Sequence, residues 1–295
     1  ISNAQKPAKA SAGDVSMWCF LKNTIKKSFI GEIPPDSEMI FIALKAVVQS
    51  LNDKYSRILS YTEAEDYILD KASEDDDVEE NEYRLTWKVI NDSVVYIKIP
   101  IFSKYNDSAF QGVASYVLAK FRNYHKPSII VDFRDCIGDY DHVTENMLAR
   151  WLDMNTIFKR EHTRQGEEES RITSVYVDRF IGWKTILLVN ENTASAAEIF
   201  SGALQDYGLG ELLGIETFGK DLVQSHFKFP NGDLLILTSA HWETPLRRSV
   251  APGGLIPDYC IQLAPEEIRE HFDFQLDKAI ELCQEYQSNN KNRGK

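Results

Sequence analysis

The chain has 295 residues, 43% of them hydrophobic and 26% charged, which is enough for one large core and a smaller lobe. Its formal net charge of −12 repels a phosphate backbone, so nucleic acid is set aside as a partner. No apolar run approaches the roughly 18 residues of a membrane span. The cysteines Cys19, Cys136, Cys260 and Cys283 form no C-x-x-C pair, and no histidines stand at metal spacing, so no metal and no cofactor are expected.

In chain order, Ser2-Asn3-Ala4 reads as a cloning scar and residues up to Gly13 as a flexible linker, weak support for a chain trimmed of an export signal. Residues 14–30 and 36–52 carry helical apolar periodicity, and a third helix starts at Thr62. Residues 14–72 therefore read as a helical lobe. The run "SEDDDVEENE" (73–82) reads as a solvated acidic linker, because like charges repel and nothing in it can be buried.

From Tyr83 the pattern changes to strand, helix, strand, which predicts an α/β core over 83–287. "YRLTWKVI" and "SVVYIKIPIF" are strands, and 107–124 is a helix. "SIIVDFR" (128–134) and "TILLVN" (185–190) are continuous apolar runs, as expected of strands covered on both faces. A helix is expected near 143–153, and "QGEEESR" reads as a loop. The helix 196–207 follows, then strand-like pieces at 211–215, 222–229 and 233–240, the last two joined by the turn "FPNGD". A terminal helix covers 265–286, with Cys283 on its apolar face, and 288–295 is a polar tail.

Ser195, in "NTASAAEIF", sits between a buried strand and a helix start. Ser195 with Glu198 is a capping box. The same position aims free helix N–H groups, Ala196 first, at whatever lies beside the hydroxyl, and the helix dipole favours an oxyanion there. A nucleophilic serine needs a base. No motif places a histidine, since His226 and His241 lie on strand-like segments. Lys220, in "TFGKDLVQ", is a candidate; as a base its pKa has to fall from about 10.4 toward roughly 7–8. By themselves, these residues leave cap or nucleophile, surface lysine or base, open.

The ordered set Ala194-Ser195-Ala196-Ala197-Glu198, "ALQDYG" (203–208) and "GIETFGKDLVQ" (214–224) resembles the C-terminal-processing, or tail-specific, serine protease family, and Lys220 follows Ser195 by 25 positions as in that family. "IIVDFRDCIGD", "LTSAHWETPLRRSV", "GLIPDYCI" and the upstream "LKAVVQSLNDKYSRIL" extend the resemblance over most of 36–285. It implies a crotonase/ClpP-like core of mixed sheet and helices with an N-terminal helical lobe, a polypeptide substrate, and a periplasmic, cell-envelope or secreted location. Homo-oligomer formation stays open. Carried over by position, Ser195 would be the nucleophile, Lys220 the general base, Gln224 a group orienting Lys220, and Gly138 and Ala196 the oxyanion-hole donors. Glu198 keeps its capping role, and Asp206 helps end the helix.

Three departures matter. Residues 57–93 are too few to hold the PDZ domain common in the family, which puts selection of C-terminal tails in doubt. Asp139 and Cys136 alter the glycine-rich loop, and Asp135 and Asp139 are expected to point outward. Asp221 replaces a glycine after Lys220, where a carboxylate would favour the charged amine. They keep a non-catalytic ligand- or protein-binding protein on the same fold as an alternative. An acyl-CoA enzyme on a related core is disfavoured for want of a CoA signature. On a straight strand, positions 220 and 224 lie about 13 Å apart, so Gln224 can reach Lys220 only if the chain bends.

Overall fold

The computed structural model describes residues 12–76, 83–124, 127–138, 141–262 and 273–288. In chain order the elements are α1 (Ala12–Ser28), α2 (Asp36–Gln49), β1 (Arg57–Leu59), α3 (Tyr61–Asp76), β2 (Thr86–Ile90), β3 (Val94–Lys98), β4 (Ile101–Phe102), α4 (Lys104–Lys120), β5 (Ser128–Asp132), β6 (Ile137–Gly138), α5 (Asp141–Leu148), β7 (Ile157–Thr163), β8 (Gly166–Arg171), β9 (Lys184–Val189), α6 (Ala196–Asp206), β10 (Glu211–Gly214), β11 (Leu222–Lys228), β12 (Leu234–Glu243), β13 (Tyr259–Cys260) and α7 (Phe274–Ser288).

The central sheet has the order β13-β10-β9-β5-β3-β2 and is parallel except for the edge strand β2. Its apolar runs are continuous because both faces are covered. Ile129, Val131, Leu187 and Val189 face one cluster with Phe110, Val117, Met147, Phe200 and Leu204 of α4, α5 and α6. The alternate residues Ile130, Ile186 and Leu188 pack with Leu213 and with Ala279 and Cys283 of α7. The period of two is thus present inside each run, with apolar residues at both phases. Cys283 is buried there, as its helical position predicts.

A second, antiparallel sheet runs β1-β12-β7-β8, with β11 on the opposite side of β12. Two expectations change here. "QGEEESR" forms β8, not a loop: across the β7–β8 pair Arg160 faces Glu169 and His162 faces Glu167. Arg160 Nη1 donates to Glu167 Oε1 at 2.9 Å and also to Glu169, so opposite charges supply the pairing that apolar periodicity usually signals. The N-terminal lobe is also not wholly helical, because β1 joins the second sheet. Ser56 Oγ accepts the Thr238 N–H at 2.9 Å and donates to Asp53 Oδ2 at 2.5 Å, which fastens 53–56 to the middle of β12.

Of the acidic run 73–82, the first four residues continue α3, and 77–82 lie outside the described residues, as do Asp139, the start of the expected terminal helix (265–272) and the tail from 289. No helix among the described residues is long and apolar enough to cross a membrane.

Candidate active site

Three loops leave the carboxyl ends of the adjacent parallel strands β5, β9 and β10, the edge where open α/β sheets hold ligands. They are laced by main-chain bonds. Ala194 N donates to Cys136 O at 3.0 Å, Phe218 N to Thr193 O at 3.0 Å and Gly138 N to Ala194 O at 3.3 Å. The first loop carries Gly138, the second Ser195 and the third Lys220.

Ser195 is the N-cap of α6 with φ 57° and ψ −115°. A non-glycine residue there costs of order 1–3 kcal/mol and persists only when its surroundings over-determine it. The surroundings are one carboxylate. Glu198 is fully buried. Its Oε2 accepts the N–H groups of Ser195 and Lys220, both at 3.0 Å. Its Oε1 accepts Thr217 Oγ1–H at 2.6 Å and Gly219 N–H at 2.7 Å. The capping residue expected at one helix end therefore also holds the loop that carries Lys220. Gly219 takes φ 81°, which suits a residue without Cβ.

Ala196 N–H has no partner among the described hydrogen bonds, as a first-turn helix amide leaves it. Gly138 N–H differs, because it is directed at Ala194 O. The need for glycine at 138 is steric: a Cβ there would lie 2.2 Å from Ala196 Cβ.

The Lys220 ammonium stands over the Tyr55 ring, 5.6 Å from its centroid, and the Lys220 carbonyl accepts the Trp242 indole N–H at 2.8 Å. No side-chain hydrogen bond joins Lys220 to Ser195 or Gln224 among the described residues; the Gln224 amide donates to Thr238 Oγ1 at 3.4 Å. A β-bulge between Val223 and Gln224 supplies a bend in the 220–224 stretch, without bringing the two side chains into a hydrogen bond. Tyr55 and Trp242 escaped the sequence reading. Tyr55 lies in the "DKYS" segment that carries part of the resemblance, but no spacing rule connects position 55 to 220.

The flanking acids are occupied. Asp221 Oδ2 lies 2.8 Å from His241 Nδ1 on β12. Asp135 Oδ1 accepts from the side-chain amides of Asn190 and Asn192, both at 2.9 Å. Burial pushes the Asp135 carboxyl up, but those two donors with the Lys98 and Arg134 charges hold it below its ordinary value. Asp206 Oδ1 accepts Arg248 Nε–H at 2.6 Å and its Oδ2 the Leu246 N–H at 2.7 Å, so it braces the 246–248 turn. His226 stacks on Tyr67 and His241 pairs with Asp221, so neither meets Ser195.

This is an α/β core with a strained serine at a strand-to-helix turn and a lysine-bearing loop tied to it. The family model described as peptidase family S41 matches residues 93–261, and the chain belongs to that family. It is 31% identical over 218 residues to a carboxyl-terminal-processing protease of Picosynechococcus, covering 71% of this chain and 48% of that protein. With the carboxyl-terminal-processing protease of Synechocystis it shares 32% identity over 195 residues, 64% of this chain and 44% of that one. The chain thus spans about half the length of these curated relatives. Among solved structures, the photosystem II D1 C-terminal processing protease superposes with a TM-score of 0.62 at 17% identity, covering 84% of this chain and 87% of that chain. A Parabacteroides merdae structure described as a putative peptidase gives 0.57 at 16% identity, covering 94% and 90%. These likenesses show the fold, the mixed sheet-and-helix core expected from the sequence.

Proposed function

We propose that the chain is a serine endopeptidase that cleaves polypeptides through an acyl-enzyme, with Ser195 as nucleophile and Lys220 as general base. The carrying observation is that one buried carboxylate, Glu198, fixes the backbones of both residues. In this reading Ser195 Oγ adds to the peptide carbonyl carbon while its proton passes to neutral Lys220 Nζ. The oxyanion forms beside the unpaired Ala196 N–H and the α6 dipole. The C–N bond then breaks, the Lys220 ammonium protonates the leaving amine, and a water activated by Lys220 hydrolyses the ester.

Gly138 would join the oxyanion hole once its amide turns from Ala194 O, and Gln224 would orient Lys220 once its amide leaves Thr238. Membership of the family and the names of the relatives support a polypeptide substrate and processing near C-termini. A periplasmic, envelope or secreted location belongs to the same reading.

One observation favours the second reading, a non-catalytic binding protein: the Gly138 amide and the Gln224 side chain are both engaged elsewhere. The test compares wild type, Ser195→Ala and Lys220→Ala on an unfolded protein substrate across a broad pH range. Wild type cleaves and both variants do not. A wild type inert at every pH removes the peptidase reading, and activity unchanged in Lys220→Ala removes the base.

A further inference from the structure

The central sheet has two ends, and the candidate site occupies one of them. At the other, the amino ends of β5 and β9, the end of α4 and the segment 177–183 line a cavity of about 380 Å³. Leu118, Phe121 and Trp183 form its apolar wall, with Phe121 and Trp183 edge to face at 5.9 Å. Its rim is apolar too. Val177 is 98% exposed and Ile181 67%, both on irregular chain, and the Tyr124 ring is half exposed at the same rim. Two cations stand beside them. Arg122 is 68% exposed and meets Asp178 only at 3.5 Å. The Lys120 ammonium lies 5.9 Å from the Tyr116 ring centroid and 5.5 Å from that of Phe121, with no carboxylate partner among the described residues. The acids Asp153 and Glu211 of this end are paired with Arg179 and Lys184. The last helix also ends here: the Tyr286 hydroxyl of α7 donates to Gly182 O at 3.2 Å. The sequence after Ser288, "NNKNRGK", carries Lys291, Arg293 and Lys295 and no acid. Cationic sequence thus adjoins this end of a chain whose net charge is −12.

We infer that this end of the protein docks on an anionic lipid surface. Val177 and Ile181 enter the boundary between headgroups and acyl chains, Tyr124 lies at headgroup level, and Lys120 and Arg122 meet lipid phosphates. Aliphatic tips, an amphipathic ring and cations in one patch are the make-up of an interfacial anchor. The cavity, within the roughly 300–1,000 Å³ of small-ligand sites, takes one headgroup. The negative net charge does not prevent this, because charge is screened beyond about 8 Å at physiological ionic strength. A second copy of the chain fits the patch less well, since a two-fold contact would set Lys120 and Arg122 against their own counterparts. The Ser195 edge stays in water, because β5 and β9 run from this end toward it. The inference therefore stands whether or not the chain cleaves peptides.

Co-sedimentation of the full chain with vesicles tests this, using phosphatidylcholine alone and phosphatidylcholine mixed with phosphatidylglycerol. Binding to the mixed vesicles should be at least about tenfold the stronger and should weaken with salt. Lys120→Gln and Arg122→Gln should each weaken it about fivefold, the share of one cation at an anionic surface. Val177→Asp with Ile181→Asp should weaken it about tenfold or more, the scale of the methylenes withdrawn from the lipid. Every substituted side chain is exposed, so the variants should keep the wild-type circular dichroism. Val47→Asp, at an exposed apolar position of α2, should bind as wild type does. No binding, or equal binding to both vesicles, overturns the inference. So does binding that survives the four substitutions or falls equally in Val47→Asp. Self-association without vesicles that Val177→Asp with Ile181→Asp abolishes assigns the patch to a second copy. Equally tight binding to soluble poly-glutamate assigns it to an acidic polypeptide, and either result overturns the lipid surface.

Discussion

Ser195 and Lys220 donate their backbone N–H groups to the same oxygen, Oε2 of Glu198, each at 3.0 Å. The helix cap and the lysine loop are therefore one construction. Whatever displaces the carboxylate moves both residues, and it releases the strained φ of Ser195 as well.

Glu198→Ala leaves four donors facing a cavity, those of Ser195, Thr217, Gly219 and Lys220. Loss of a fully buried, multiply bonded carboxylate should destabilise the fold by about 3–5 kcal/mol. Urea unfolding reads this directly. Glu198→Gln keeps the shape but replaces one acceptor with a donor. It should fold and lose cleavage by about a hundredfold or more in kcat, at the scale of misplacing reacting groups by about 1 Å. A Glu198→Gln variant with wild-type kcat would show that the carboxylate matters to folding only.

Gly138→Ala places a methyl 2.2 Å from Ala196 Cβ and 2.8 Å from Ala196 N. The backbone on both sides has to give way, at a cost of about 1–3 kcal/mol. Since Ala196 N–H is the proposed oxyanion donor, cleavage should fall far more than stability. Equal small losses in both would detach Gly138 from the chemistry.

Asp221 is held by His241 at 2.8 Å. In His241→Ala the freed Asp221 carboxylate can swing to the ammonium of the adjacent Lys220 and draw it away from Ser195. Cleavage should drop by up to about fivefold, the scale of an exposed charge contact, and His241→Ala with Asp221→Asn should recover most of it. A double variant no better than His241→Ala would exclude this coupling.

Asp273 links the strand-end network to α7. Burial raises its carboxyl, but Arg134, with Nη1–Oδ1 and Nη2–Oδ2 both 2.8 Å, and the Leu276 N–H hold it below its ordinary value. A depressed folded-state pKa contributes stability that is complete above the unfolded value of about 3.9 and is lost as pH falls through the folded value. Wild type should therefore exceed Asp273→Asn at neutral pH, with the gap closing on acidification below about pH 4. Urea midpoints taken over that range measure it, and a gap independent of pH would rule out the charge as its source.

Short-range pattern carried much of this protein. Runs such as "SIIVDFR" and "TILLVN" needed only their apolar content to read as strands covered twice, and "NTASAAEIF" needed only its cap and periodicity to mark a strand-to-helix turn. The same reading failed at "QGEEESR", because its strand is stabilised by charges on β7 that a one-segment pattern cannot contain.

Other features depend on which distant segments meet. The turn "NTASAAEIF" allowed Glu198 to be a cap, but only chain closure brings Thr217, Gly219 and Lys220 to the same carboxylate. Closure also sets Tyr55 against Lys220, pairs Asp221 with His241, turns the Gly138 amide to Ala194 and directs Gln224 to Thr238. Residue type and spacing fix what a segment can form with itself. Hydrogen-bond direction across loops is fixed only when strands β5, β9 and β10 stand side by side and their ends must satisfy one another's buried polar groups.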